Sequence, residues 1–251
     1  MSSAAIRAAK FASSGVDISV VEERIAHLTA NNATTWLFEN RSLGDGGVAA
    51  VAGALETNTT VDTLFLGGNG IGDAGAAALA RALETNTSVA TVFLTDNVIG
   101  DVGASALATA LETNTAVAIL SLSSNKIGDT GATALGRALG LTSEQEEEER
   151  KKKADITIRH NSSLTKFYIN DNLIGDSGAR ALANGIIGHS RDGGLETFNF
   201  HRNTGMTEEG QAFIGVAMSD AKMLPNQYTP EASKAAMPDP RKSERRSAAG
   251  R

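Results

Sequence analysis

Gly70-Ile71-Gly72-Asp73-Ala74-Gly75 spells G-x-G-x-x-G. At that spacing backbone amides can cradle a pyrophosphate, and Asp96 stands roughly 20 residues on, where a ribose-binding carboxylate belongs. A strand pattern precedes the glycines and a helix pattern follows, so the context of a dinucleotide fingerprint is met. The neighbouring segments argue otherwise. Val98, Lys126 and Leu173 take the place of Gly70 while the strand and helix patterns persist, so the glycines are read as repeat construction. The aspartates that recur after glycine, such as Asp73, Asp101, Asp129 and Asp176, are read as helix N-caps, not paired catalytic carboxylates. His27, His160, His189 and His201 fall in separate segments without metal-ligand spacing. There is no H-E-x-x-H, no P-loop, no nucleophile elbow and no cysteine. No catalytic, cofactor-binding or metal-binding residue is assigned, and a non-enzymatic chain is expected.

The element behind these motifs is the stretch from Val61 to Thr87, which recurs almost unchanged from Val89 to Thr115 and begins again at Val117. Asn69, Asn97 and Asn125 are 28 residues apart, as are Leu64, Val92 and Leu120. A fixed period in this range marks a solenoid. In Val61 to Asn69, Leu64 and Leu66 alternate with Asp62, Phe65 and Gly67, the pattern of a short strand with one buried face. Asn69 ends the strand and can bond the backbone of adjacent units. Asp73 is placed at a helix N-cap ahead of Ala76 to Leu83, Leu79 and Leu83 form the buried stripe, and Asn86 is placed at a left-handed C-cap. One unit cannot bury its own core, whereas stacked units can.

The L-x-x-L-x-L-x-x-N start and the I-G-D-x-G-A-x-A-L-x-x-A-L-x-x-N-T continuation resemble the leucine-rich-repeat family, in its ribonuclease-inhibitor-like subclass. The motif returns at Leu43-Gly44-Asp45, Ile71-Gly72-Asp73, Ile99-Gly100-Asp101, Ile127-Gly128-Asp129 and Ile174-Gly175-Asp176. The resemblance implies an α/β fold: a right-handed arc with parallel strands on the concave side and helices on the convex side.

The sequence divides into a leader (1–16), an N-terminal helical cap (17–32), a domain of about six repeats (33–218) and a basic tail (219–251) expected to be disordered. The leader is rich in Ala and Ser, with Arg7 and Lys10, and is expected to be disordered; its composition is also compatible with a transit peptide. Asp17 or Ser19 can cap the first helix, and Thr207 the last. Asn125 to Asn172 is 47 residues, so 19 residues are inserted between repeats four and five. The insertion (140–160) is expected to be a solvated helical extension, with Thr142 and Gln145 as a capping box and Glu147, Glu148 and Glu149 each four residues before a lysine. A net charge of −6 argues against nucleic acid as the main partner, and no apolar run is long enough to span a membrane. The sequon asparagines Asn32, Asn40, Asn58, Asn86 and Asn161 are read as repeat-junction residues. A cytoplasmic monomer is expected, with Arg241 to Arg246 a candidate nuclear signal.

Without a catalytic constellation, the concave sheet becomes the candidate working surface. Its outward columns read Thr35, Thr63, Thr91, Ile119, Lys166, Thr197; then Leu37, Phe65, Phe93, Ser121, Tyr168, Asn199; then Glu39, Gly67, Thr95, Ser123, Asn170, His201. Phe65, Phe93 and Tyr168 are expected to be exposed and to anchor a protein partner, with Asn40, Asp96, Asp171 and Arg202 as the rim. The partner-binding set is Leu37, Glu39, Phe65, Phe93, Thr95, Asp96, Ser121, Lys166, Tyr168, Asn170, Asp171, His201 and Arg202. The expected function is a protein-interaction scaffold. Two alternatives come from resemblance. Ran GTPase-activating proteins are similar in repeat subclass, with Arg41 the one residue that could act as an arginine finger. Tropomodulins, actin-filament binders, have a segment similar to Ala54-Leu55-Glu56-Thr57-Asn58-Thr59.

Overall fold

The computed structural model describes residues 17–140, 161–189 and 194–221. Helix α1 (Ile18–Ala30) precedes six strand–helix units: β1 (Thr35–Leu37), α2 (Gly44–Leu55), β2 (Thr63–Phe65), α3 (Asp73–Thr85), β3 (Thr91–Phe93), α4 (Asp101–Thr113), β4 (Ile119–Ser121), α5 (Asp129–Leu139), β5 (Lys166–Tyr168), α6 (Asp176–His189), β6 (Thr197–Asn199) and α7 (Glu208–Asp220). The six strands form one parallel sheet in chain order. Each crossover passes through a helix, and the result is an open arc with strands inside and helices outside. The leader expected at 1–16, the insertion expected at 140–160 apart from Gly140, and the tail expected at 219–251 apart from Ser219 to Ala221 lie outside the described residues.

The core lies between the two layers. Val61, Leu64, Leu66 and Ile71 from the strand side meet Ala76, Leu79 and Leu83 from α3, all buried, and the same positions repeat along the arc. Alanines on the inner helix face let helix and strand approach closely, so a three-residue strand suffices for each unit. Trp36 and Phe38 fill the first unit, as their inward register requires. Val21 and Ile25 of α1 close that end, with Asp17 accepting a bond from the Ser19 amide as the helix cap. At the other end Thr207 caps α7 by accepting from the Glu209 amide.

Three side-chain ladders, two of asparagines and one of aspartates, stitch the units together. The first asparagine ladder runs backward. The Asn69 carboxamide accepts from the amides of Arg41 and Leu43 and donates to the Phe38 carbonyl. Asn97 does the same for Asn69, Ile71 and Leu66, and Asn125, Asn172 and Asn203 continue the series. A second, shorter ladder holds the helix C-termini: Asn86 donates to the carbonyls of Leu55 and Asn58, Asn114 to Leu83 and Asn86, and Asn161 to Leu111 and Asn114. Asn86 therefore corrects the expected left-handed C-cap: its backbone is extended, at φ −77° and ψ 127°. The extended form is what aims the carboxamide across the unit boundary.

The aspartate ladder runs forward and corrects a second expectation. Gly72, not Asp73, is the N-cap of α3, and Asp73 makes no bond to its own helix start. Its carboxylate accepts from the amides of Gly100 and Gly103 at 2.7 and 2.9 Å, at the start of the next helix. Asp45 serves Gly72 and Gly75, Asp101 serves Gly128 and Gly131, and Asp129 serves Gly175 and Gly178. The starts of α3 to α6 are thus each capped by a carboxylate from the preceding unit, which also opposes the positive end of the helix dipole. The glycines are sterically required: a Cβ on Gly75 would sit 2.7 Å from Asp45 Oδ1.

Helices α5 and α6 approach by backbone. A Cβ on Gly136 would lie 2.5 Å from the Ala181 carbonyl oxygen, and one on Gly185 or Gly188 would meet the Gly136 or Gly140 carbonyl closer still. This contact stands where the insertion leaves and rejoins the arc, after Gly140 at φ +119°.

Candidate functional site

Strand pairing places the concave side chains in the expected columns: Leu37, Phe65, Phe93, Ser121, Tyr168 and Asn199 are mutual neighbours from strand to strand. The columns do not share one environment. Phe65 and Phe93 are only 3% and 5% exposed, against the expectation of exposed anchors. Their rings stack at 4.9 Å with 18° between planes. Parallel strands set same-column side chains about 4.8 Å apart, which is a stacking distance, so each ring covers the face of the other. They form the floor of the concave surface rather than knobs upon it. Leu37 beside them is half-buried.

Ser121 is 1% exposed and its hydroxyl pairs with the Thr95 hydroxyl at 2.8 Å. Asn170 is 5% exposed and accepts from the Ser123 hydroxyl at 2.6 Å. These residues are largely occupied with one another. At the rim, Arg202 grips Asp171 with two nitrogens, at 2.7 and 2.8 Å. Asn40, Asp96, Asp171 and Arg202 all adopt left-handed backbone, at φ 54°, 57°, 58° and 58°. This is the residue at which every unit leaves the strand, and Gly68 supplies the conformation in unit two. His201 is half-buried and stacks on Phe200 at 4.7 Å. Burial, and then the Arg202 charge, hold its pKa below the ordinary histidine value.

Glu39, Lys166 and Tyr168 differ from these. All three are half-buried, and among the described residues their polar ends make no hydrogen bond or ion pair. Burial pushes the Glu39 carboxyl and the Tyr168 phenol above their ordinary pKa values.

The amides of the G-x-G-x-x-G segment are engaged internally. Gly72 and Gly75 donate to Asp45 Oδ1 at 2.7 and 3.0 Å, so a carboxylate of the preceding unit holds the position a phosphate would take. Among the described residues no three His, Asp or Glu side chains group as metal ligands, and no helix is long and apolar enough to cross a membrane. Arg41 is exposed, with its amide held by Asn69.

Sequence reading missed His189, which is fully buried and bonds the Leu164 carbonyl at 2.8 Å. It stands in for the serine that bonds the equivalent carbonyl one unit earlier, where Ser163 meets Val117. The signal was available as the loss of the Asn-x-Ser pattern before unit six.

A family description, the leucine-rich repeat, matches residues 57–80, 85–108, 113–136 and 160–183. The chain carries leucine-rich repeats over these residues. No curated protein sequence matches it. Among solved structures, this repeat protein is similar to leiomodin-1 actin-binding site 2, at 15% identity, 90% coverage of this chain, 96% of that one and a TM-score of 0.48. It is also similar to a tropomodulin C-terminal domain from Caenorhabditis elegans, at 10% identity, 82% and 94% coverage and a TM-score of 0.46. A Listeria monocytogenes internalin aligns at 15% identity over 80% of this chain and 50% of that one, with a TM-score of 0.41.

Proposed function

We propose that this repeat protein is a non-enzymatic scaffold that grips a protein partner on its concave face. The observation that carries the reading is the unmatched trio of Glu39, Lys166 and Tyr168. Their polar ends reach solvent and are not among the buried unpartnered atoms, so they stand available to a partner, and the trio spans the arc from the first unit to the fifth. A partner laid along the concave surface would supply what the chain withholds, with Leu37 and Tyr168 as its apolar contacts and the Phe65–Phe93 stack as a rigid floor. Thr95, Asp96, Ser121, Asn170, Asp171, His201 and Arg202 then border the contact. Non-enzymatic action is supported by the ladder aspartates, each of which is engaged as a cap for the next unit. A cytoplasmic setting fits the sequon residues Asn86 and Asn161, which are buried and bonded on both sides of the amide. A monomer is the form that leaves the concave face open.

The test is affinity capture from the source cell. Wild type is compared with a Glu39→Lys/Lys166→Glu/Tyr168→Ala variant whose fold is checked by circular dichroism. The expected result is a defined set of partners lost from the variant alone. An identical set captured by both proteins would move the working surface off the concave face.

A further inference from the structure

The concave face is electrically lopsided. In the first three units, Glu39, Asp62 and Asp96 stand on or beside it, and none forms an ion pair among the described residues. Arg41 is the one cation near them, exposed at the turn after β1. In the last two units the charges are Lys166, Glu196 and the Arg202–Asp171 pair, which sum to zero. The imbalance extends to the whole chain. The described residues hold 19 Asp and Glu against eight Lys and Arg, a net −11. Residues 222–251 hold seven Lys and Arg against three Asp and Glu, a net +4, and Arg241 to Arg246 concentrates four of these cations within six positions.

Length and origin match this charge pattern. The segment leaves the arc at Ala221, after α7, which packs on the last helical layer. Arg241 follows Ala221 by 20 residues. Twenty residues reach at most about 66–72 Å when fully extended. Crossing the sheet from β6 to β1 takes five strand spacings, about 24 Å. The number of residues between Ala221 and Arg241 therefore allows the basic segment to reach the first units.

We propose that the basic segment Arg241 to Arg246 docks on the acidic first half of the concave face, against Glu39, Asp62 and Asp96 of its own chain. The docked segment competes with any partner of that face, a consequence that rests on the scaffold reading above. The contact itself does not depend on it. Arg241, Lys242, Arg245 and Arg246 supply the cations that the half-buried Glu39 lacks. Charged contacts of this exposure are screened by salt, so the docked state is a weak, displaceable one.

The experiment uses the full chain and a zero-length carbodiimide, which joins a carboxylate to a lysine amine only where the two touch. Lys242 is the internal probe. The expected result is Lys242 cross-linked to Glu39, Asp62 or Asp96 within one chain, as shown by a mixture of isotope-labelled and unlabelled copies. Raising ionic strength from about 0.01 M to about 1 M shrinks the Debye length from about 30 Å to about 3 Å and should cut these products about ten-fold. An Arg241→Ser/Arg245→Ser/Arg246→Ser variant keeps the Lys242 probe and should lose them too. The proposal is overturned if Lys242 couples equally to the convex Glu56, Glu84 and Glu112, or if its products join different copies only. It also falls if Lys10 of the leader takes the concave carboxylates instead, or if the triple serine variant leaves the yield unchanged. Cross-links that stand while the Glu39/Lys166/Tyr168 variant captures an unaltered set of partners would retain the tail contact and discard the partner reading.

Discussion

At the scale of single residues, the decisive chemistry is the engagement of backbone amides by side chains of a neighbouring unit. Replacing Asp73 by alanine strips the acceptor from Gly100 and Gly103. The expected loss is about 1 kcal/mol, the usual cost of a lost N-cap, and Asp73→Asn, which keeps an oxygen there, should lose less. Urea denaturation midpoints would show both. The same ladder makes the protein acid-sensitive. Burial works to raise the Asp129 pKa, but the Ser177 hydroxyl and the amides of Gly175 and Gly178 outweigh it and hold the pKa below the ordinary value of 3.8. The stabilisation is therefore complete above the unfolded-chain pKa and is lost as pH falls through the lower folded one. Unfolding free energy measured across the acid range should drop below about pH 4, and Asp129→Asn should remove part of that drop. Phe65 and Phe93 give a third test. A double-mutant cycle to alanine should return a coupling of about 0.5–1.5 kcal/mol, the range for a stacked aromatic pair; a value near zero would mean that the rings do not stack in solution. The sequence showed that both rings face the concave side. It did not show that they are buried, because burial there comes from the neighbouring strand rather than from the alternation within one strand.

At the scale of the elements, strand and helix positions were legible because each unit repeats one inward pattern. The columns followed directly, since a parallel sheet built from equal units must pair equal positions. Cap assignments were misread for a physical reason. Capping rules describe a side chain and the helix start beside it, whereas Asp73 and Asn86 satisfy groups one repeat away, and the sequence alone does not say which neighbour lies within reach. The α5–α6 contact was likewise hidden. Gly136, Gly185 and Gly188 read as weak helix formers, and only the approach of two backbones explains them. Gly185→Ala is expected to cost about 1–3 kcal/mol by forcing the helices apart. Gly53→Ala, at a helical position with nothing within 4 Å of the new Cβ, should instead stabilise by about 0.5–1 kcal/mol. Opposite signs for one chemical change, read in thermal or urea unfolding, would separate backbone packing from helix propensity.

At the scale of the whole molecule, two ladders cross every unit boundary in opposite directions. The aspartate of one unit reaches forward and the asparagine of the next reaches back. Units four and five illustrate it: Asp129 holds Gly175, Ser177 and Gly178, while Asn172 holds Leu122 and Ile127 and Asn161 holds Leu111 and Asn114. Residues 141–160 join these units in sequence, but none of those bonds passes through them. A protease cut placed there would yield two pieces, one presenting carboxylates and the other carboxamides, each shaped to the other. The nicked protein should elute as a single species in size-exclusion chromatography without denaturant. The two fragments, expressed separately, should find one another and restore a full-length arc. Fused to the halves of a reporter enzyme, they would make a reversible molecular fastener.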